Sequence, residues 1–195
     1  MDLYWIKKIQ IIIKQYYNSR SYNFSVKVEK DRSAKIGDLL KSKGLWLATA
    51  ESCTGGLLGH LITSAAGSSE YYLGGFITYS NDTKERWAGV THSTLLQYGA
   101  VSRETVQEMA CGVRNAFGEG IQPEKIIGIS ISGIAGPGGG SPEKPVGTVW
   151  ICVSGADGEE SVKNNFQGER GEVKIQSAEK AMDLLIEYLL KKKSS

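Results

Sequence analysis

The chain has 195 residues, 41% of them hydrophobic, with 23 Lys+Arg against 21 Asp+Glu and a formal net charge of +2. That length suits one domain, large enough to bury a core without a disulfide or metal staple. Three scattered cysteines (Cys53, Cys111, Cys152) with no C-x-x-C pair, and only His60 and His92, point away from a zinc site, a disulfide framework and His-based catalysis; no apolar run reaches the ~20 residues of a membrane span. A cytoplasmic setting is expected.

The charge is uneven. Residues 1–33 hold seven basic and three acidic side chains, or +4, and the remaining 162 residues carry −2. Duplex binding needs several phosphate contacts from a basic face, so no nucleic-acid partner is expected.

In chain order, Leu3, Trp5, Ile6, Ile9, Ile12, Ile13, Tyr16 and Tyr17 fall near helical spacing, with Lys7, Lys8 and Lys14 between them. This is a basic amphipathic pattern. Gln10 and Lys14 break the apolar stretch and no small-residue cleavage site follows, which argues against a secretory signal. Residues 1–33 therefore read as an extension that packs on the body or stays partly disordered, with peripheral membrane contact as the other reading. Residues 34–195 form the expected domain.

Within it, Ala34–Lys43 is expected as a helix closed by Gly44, Leu45–Ala50 as a strand, and Ser52 onward as a helix. Tyr71–Tyr79 reads as a strand. Asn81 and Asp82 read as a cap before a helix over Thr83–Gly89. Ser93–Tyr98 is a short helix and Ser102 caps a longer one. Lys125–Ser132, Val146–Val153 and Ser161–Phe166 are strands, and Glu172–Lys193 is the closing helix. This alternation predicts an α/β fold, a three-layer α/β/α sandwich around a mixed, mostly parallel sheet.

Three segments fall at strand ends, where open α/β sheets place ligands. In Ala50-Glu51-Ser52-Cys53-Thr54-Gly55-Gly56, Ser52 is either a nucleophile beside free backbone N–H groups or simply a helix cap. Cys53 is a rival nucleophile, or a small buried residue. In Tyr79-Ser80-Asn81-Asp82-Thr83-Lys84, Lys84 is either the base that such a serine needs or an ordinary surface lysine. A helix start and burial would both lower its pKa. The third segment, Ser132-Gly133-Ile134-Ala135-Gly136-Pro137-Gly138-Gly139-Gly140, has five glycines in its last eight residues. It allows close backbone approach to a ligand, or is a flexible surface loop. It lacks the Gly-Lys-Ser/Thr ending of a P-loop and opens no helix, so both common nucleotide-loop readings fail.

Together these segments resemble the CinA C-terminal domain family, the nicotinamide mononucleotide amidases. Gly99-Ala100-Val101-Ser102, Glu143-Lys144-Pro145-Val146-Gly147 and Phe166-Gln167-Gly168-Glu169-Arg170 complete the family's order of motifs, and the resemblance spans about Ala34 to Leu190. It implies a cofactor-free Ser/Lys amidase that converts nicotinamide mononucleotide to nicotinic acid mononucleotide and ammonia. By that resemblance Ser52 is the nucleophile, Lys84 the base, and Tyr79 and Ser132 further catalytic residues. Gly55, Gly56, Asn81, Gly133, Gly136, Gly138 and Arg170 bind substrate, with Arg170 on its nucleotide part. A homodimer or larger homo-oligomer, with a small nucleotide as the other partner, is implied as well. The family usually has Thr where Ser132 stands and Asp where Glu169 stands. The chain is also too short for the molybdopterin-binding-like domain that many CinA proteins carry. The alternatives are a non-catalytic accessory protein linked to competence, and an amidase for another small amide.

Overall fold

The computed structural model describes residues 22–118 and 120–191, with side chains from Arg32 onward. The basic amphipathic pattern of residues 3–17 lies outside them. Helix α1 (Tyr22–Ser42) runs unbroken past Ser33, so the helix expected from Ala34 is the second half of a longer one. No proline interrupts it, and the buried Ser33 hydroxyl donates to the Leu61 carbonyl at 2.7 Å as a tie between helices. Arg32 adds a partly buried ion pair to Asp183 at 2.8 Å.

Strand β1 (Trp46–Glu51) is followed by α2 (Leu57–Thr63), β2 (Tyr72–Ile77), α3 (Asn81–Ala88), α4 (His92–Tyr98) and α5 (Arg103–Ala116). The chain then forms β3 (Ile126–Gly133), β4 (Thr148–Gly155), β5 (Gly158–Asn165) and α6 (Arg170–Lys191). The sheet order is β2-β1-β3-β4-β5. Strand β1 is parallel to β2 and β3, and β4 is antiparallel to β3 and β5, so β4 alone is reversed.

Strand alternation sorts the core into two faces. Leu47, Ile127, Ile129, Ile131, Ile151 and Val153 pack against Ile36 and Leu40 of α1, Leu58 and Ile62 of α2, and Met182, Leu185 and Leu189 of α6. On the other face Ala48 and Ala50 meet Ala88 of α3, Leu95 of α4, and Met109 and Val113 of α5. Val106 and Ala110 of α5 cover Cys152 there. These are the three layers expected from the sequence.

The second face uses small residues because α5 lies almost on the strands. A Cβ on Gly128 would fall 2.1 Å from the Ala110 carbonyl oxygen. The neighbouring Ser130 hydroxyl donates to the Val106 carbonyl across the same seam. Gly128→Ala should therefore push α5 off the sheet and cost about 1–3 kcal/mol, the usual penalty of overpacking. Urea denaturation of the variant beside the wild type checks it.

Candidate active site

The parallel arrangement sets the C-terminal ends of β1, β2 and β3 at one edge of the sheet. Register pairs Glu51 with Ile77, so the chain leaves β1 at Ser52 beside the point where it leaves β2 at Thr78. The Ser52 amide continues the ladder to the Ile131 carbonyl at 3.0 Å, and the Thr78 amide donates to the Glu51 carbonyl at 2.7 Å.

The segment after Ser52 turns before it becomes helical. Gly55 (φ 63°) and Gly56 (φ 97°) both occupy the left-handed region, and α2 starts only at Leu57, five residues later than expected. Ser52 is thus not the helix cap. The capping acceptor is Glu51, 2% exposed, whose carboxylate accepts from the amides of Gly56 at 2.9 Å, Leu58 at 3.1 Å and Gly59 at 2.8 Å. A carboxylate at a helix N-terminus satisfies the otherwise unpaired amides and meets the positive end of the dipole. The free amides expected beside Ser52 at the helix start are in part already taken.

Helix α3 presents Lys84. Its cap is Ser80 rather than Asn81 or Asp82: the Ser80 hydroxyl accepts from the Thr83 amide while the Thr83 hydroxyl accepts from the Ser80 amide. Lys84 is the fourth helical residue and its side chain turns inward, 2% exposed. The ammonium donates to Ser52 Oγ at 3.1 Å and to the Thr78 carbonyl at 2.8 Å. Among the described residues no carboxylate pairs with it. Burial without a counter-ion lowers its pKa from 10.5 to about 8. Burial pushes the neighbouring Cys53 thiol the other way, up to about 11, so it stays protonated near neutrality.

A cavity of about 210 Å³ opens over this pair. Of the residues singled out in the sequence, Ser52, Tyr79, Asn81, Lys84, Ser132, Gly133 and Arg170 line it; Cys53, Ala100, Val101 and Ala135 complete the wall. Ser132 Oγ donates to the Ala100 carbonyl at 2.7 Å, which leaves its lone pairs toward other donors. Arg170, the first residue of α6, donates through Nη1 to the Gly136 carbonyl at 2.6 Å and through Nη2 to the Tyr79 hydroxyl. Gly136 is thus connected to the site only through the bond that its carbonyl accepts from Arg170.

Gly55, Gly56, Gly136 and Gly138 do not line the cavity. The first two are spent on the turn that follows Ser52, and a Cβ on Gly138 would meet nothing within 4 Å. The first motif assigns Glu51 no role, and its buried carboxylate is a functional feature that the sequence reading misses. Its signal is an acidic residue at a strand end just ahead of a glycine turn and a helix. Among the described residues no group of three or more His, Cys, Asp or Glu could hold a metal ion, and no helix is long and apolar enough to cross a membrane.

Fold and site together define an α/β sandwich that presents a serine hydroxyl to a buried, uncompensated lysine at the C-terminal edge of its sheet. The chain belongs to the CinA C-terminal domain family, which matches residues 29–189. It is 52% identical over 147 residues to the nicotinamide-nucleotide amidohydrolase PncC of Enterobacter agglomerans, covering 75% of this chain and 86% of that protein. A putative competence-damage inducible protein of Halothermothrix orenii is 43% identical over 183 residues; the match covers 93% of this chain but only 43% of that longer relative. The crystal structure of a CinA superfamily protein from Klebsiella pneumoniae superposes with a TM-score of 0.77 at 34% identity, over 84% of this chain and 99% of that one.

The sign of the lysine effect is fixed by the two pKa values. The unfolded chain holds the Lys84 proton up to about 10.5 and the folded chain only to about 8, so stability rises as pH climbs between them. Below that window the buried ammonium costs on the order of 3 kcal/mol at ~1.4 kcal/mol per tenfold change in proton affinity. Lys84→Met should therefore be more stable than the wild type near neutral pH by about 2–3 kcal/mol, with the gain shrinking toward about pH 10. Urea denaturation at the two pH values measures the difference.

Proposed function

We propose that this chain is a serine amidohydrolase that hydrolyses the carboxamide of nicotinamide mononucleotide to nicotinic acid mononucleotide and ammonia. The observation that carries the reading is the Lys84 Nζ to Ser52 Oγ contact of 3.1 Å inside a cavity where burial holds the lysine near pH 8. The amidohydrolase name of the Enterobacter relative supports the substrate.

In the neutral form Lys84 has a lone pair for the Ser52 proton while one N–H stays on the Thr78 carbonyl. Ser52 Oγ attacks the amide carbon, and the proton passes to Lys84. The tetrahedral intermediate collapses as Lys84 returns that proton to the leaving nitrogen, and ammonia departs from an acyl-serine ester. Water, activated by the same amine, then hydrolyses the ester and frees Ser52. With the amides of Gly56, Leu58 and Gly59 taken by Glu51, the oxyanion donor is assigned to the backbone of Cys53, which lines the cavity.

Arg170 is assigned to the substrate phosphate. Two of its donors are fixed by Gly136 and Tyr79, which holds the guanidinium plane in place for a charge-assisted pair with the rest. Ser132 and Asn81 supply polar groups on the wall, and Gly133 admits close backbone approach. Residues 34–195 are assigned as the amidase domain, with the end of the preceding extension joined to it through α1 by Arg32 and Ser33.

Ser52→Ala and Lys84→Ala should each lower ammonia release from nicotinamide mononucleotide by at least ~100-fold, the lower end of what a positioned base contributes. Well-folded wild type that releases no ammonia contradicts the reading. Arg170→Ala should raise KM for the mononucleotide by about 10–100-fold, the worth of a charged hydrogen bond. It should leave turnover of the unphosphorylated riboside nearly unchanged, and steady-state kinetics on the two substrates separates the effects.

A further inference from the structure

The geometry points to Glu51 as the positioning residue of the nucleophile: its carboxylate locks the 52–56 turn so that Ser52 Oγ stays within reach of Lys84. This rests on the serine amidohydrolase reading above.

Glu51 adjoins Ser52 in the chain and is linked to Lys84 only through Thr78. Its backbone carbonyl accepts the Thr78 amide at 2.7 Å, and the Thr78 carbonyl in turn accepts from Lys84 Nζ at 2.8 Å. Its carboxylate gathers three amides from the far side of the turn. Between these anchors Ser52 is tied on either side, its amide to Ile131 and its carbonyl to the Gly55 amide at 3.1 Å. Gly56, in the cap position of α2, provides no side-chain acceptor, so the helix start depends on Glu51.

Two glycines in the left-handed region make this turn intrinsically free to adopt other conformations. Three charge-assisted hydrogen bonds to one buried carboxylate oppose that freedom. Displacing a nucleophile by about 1 Å costs on the order of 100-fold in rate, so a loosened turn registers in turnover before it registers in binding. Glu51 does not line the cavity, and it acts on the reaction only through the place it gives Ser52.

Glu51→Gln keeps the shape but offers a single acceptor oxygen to three amides. It should lower kcat about 10–100-fold while KM for nicotinamide mononucleotide stays within about twofold. The second readout is the rate at which a fluorophosphonate labels Ser52. There the Oγ–P bond forms as the P–F bond breaks, the serine proton passes to Lys84, and fluoride leaves. Labelling should slow by a similar factor. If Glu51→Gln does not fold, Glu51→Asp, which keeps the charge but withdraws it by one methylene, is read the same way and should show the same split. Either folded variant with kcat and labelling rate within about twofold of wild type overturns the inference. A wild type inert to the probe overturns it together with the amidohydrolase reading. A wild type that labels but releases no ammonia overturns the substrate alone, and the labelling rates still decide the role of Glu51.

Discussion

A lysine amine buried against a serine hydroxyl, with no carboxylate among the described residues to hold its proton, is the constraint on which the rest of the site depends. An ammonium prefers water or a counter-ion, and Lys84 has neither at 2% exposure. Ser52 and Lys84 are 32 residues apart in sequence and meet because β1 and β2 are parallel neighbours whose register brings their exits side by side. The parallel sheet is what turns two separate motifs into one site.

The second buried charge is kept out of the first one's way. Glu51 adjoins Ser52 in sequence, yet its carboxylate is directed into the start of α2 and accepts three amides there. Had it paired with Lys84, the attraction would have favoured the ammonium and disabled the amine as a base near neutral pH. Sending the acid to a helix dipole satisfies it without neutralising the lysine. The same arrangement consumes part of the helix N-terminus, and the cation left on the cavity wall besides Lys84 is Arg170, braced by Gly136 and Tyr79.

The α/β class and the three layers were legible in the sequence because strand and helix periodicities are local; most of the cavity wall was named only through the resemblance of its motifs to the CinA C-terminal domain family. What escaped depends on partners distant in the chain. The helix after β1 begins at Leu57 rather than Ser52 because two glycines turn left-handed and Glu51 reaches across them, and neither event has a periodic signature. Lys84 has no local mark that separates it from a surface lysine; only its packing under the Ser52 turn does so. Ser33, expected in the extension just before the first helix, lies inside that helix, where its hydroxyl finds the Leu61 carbonyl 28 residues away. Ala100 and Val101 belong to a motif with no assigned chemistry, yet both are cavity wall, and the Ala100 carbonyl accepts from Ser132.

The most direct test of the account is the titration of Lys84 itself. The lysines can be followed by the carbon shifts adjacent to their amines, with Lys84→Met assigning the resonance. The account predicts one amine titrating near 8 in the folded protein, absent from the variant. An assigned Lys84 that stays charged to its ordinary value of 10.5 would contradict the idea that this fold stores a neutral base beside Ser52.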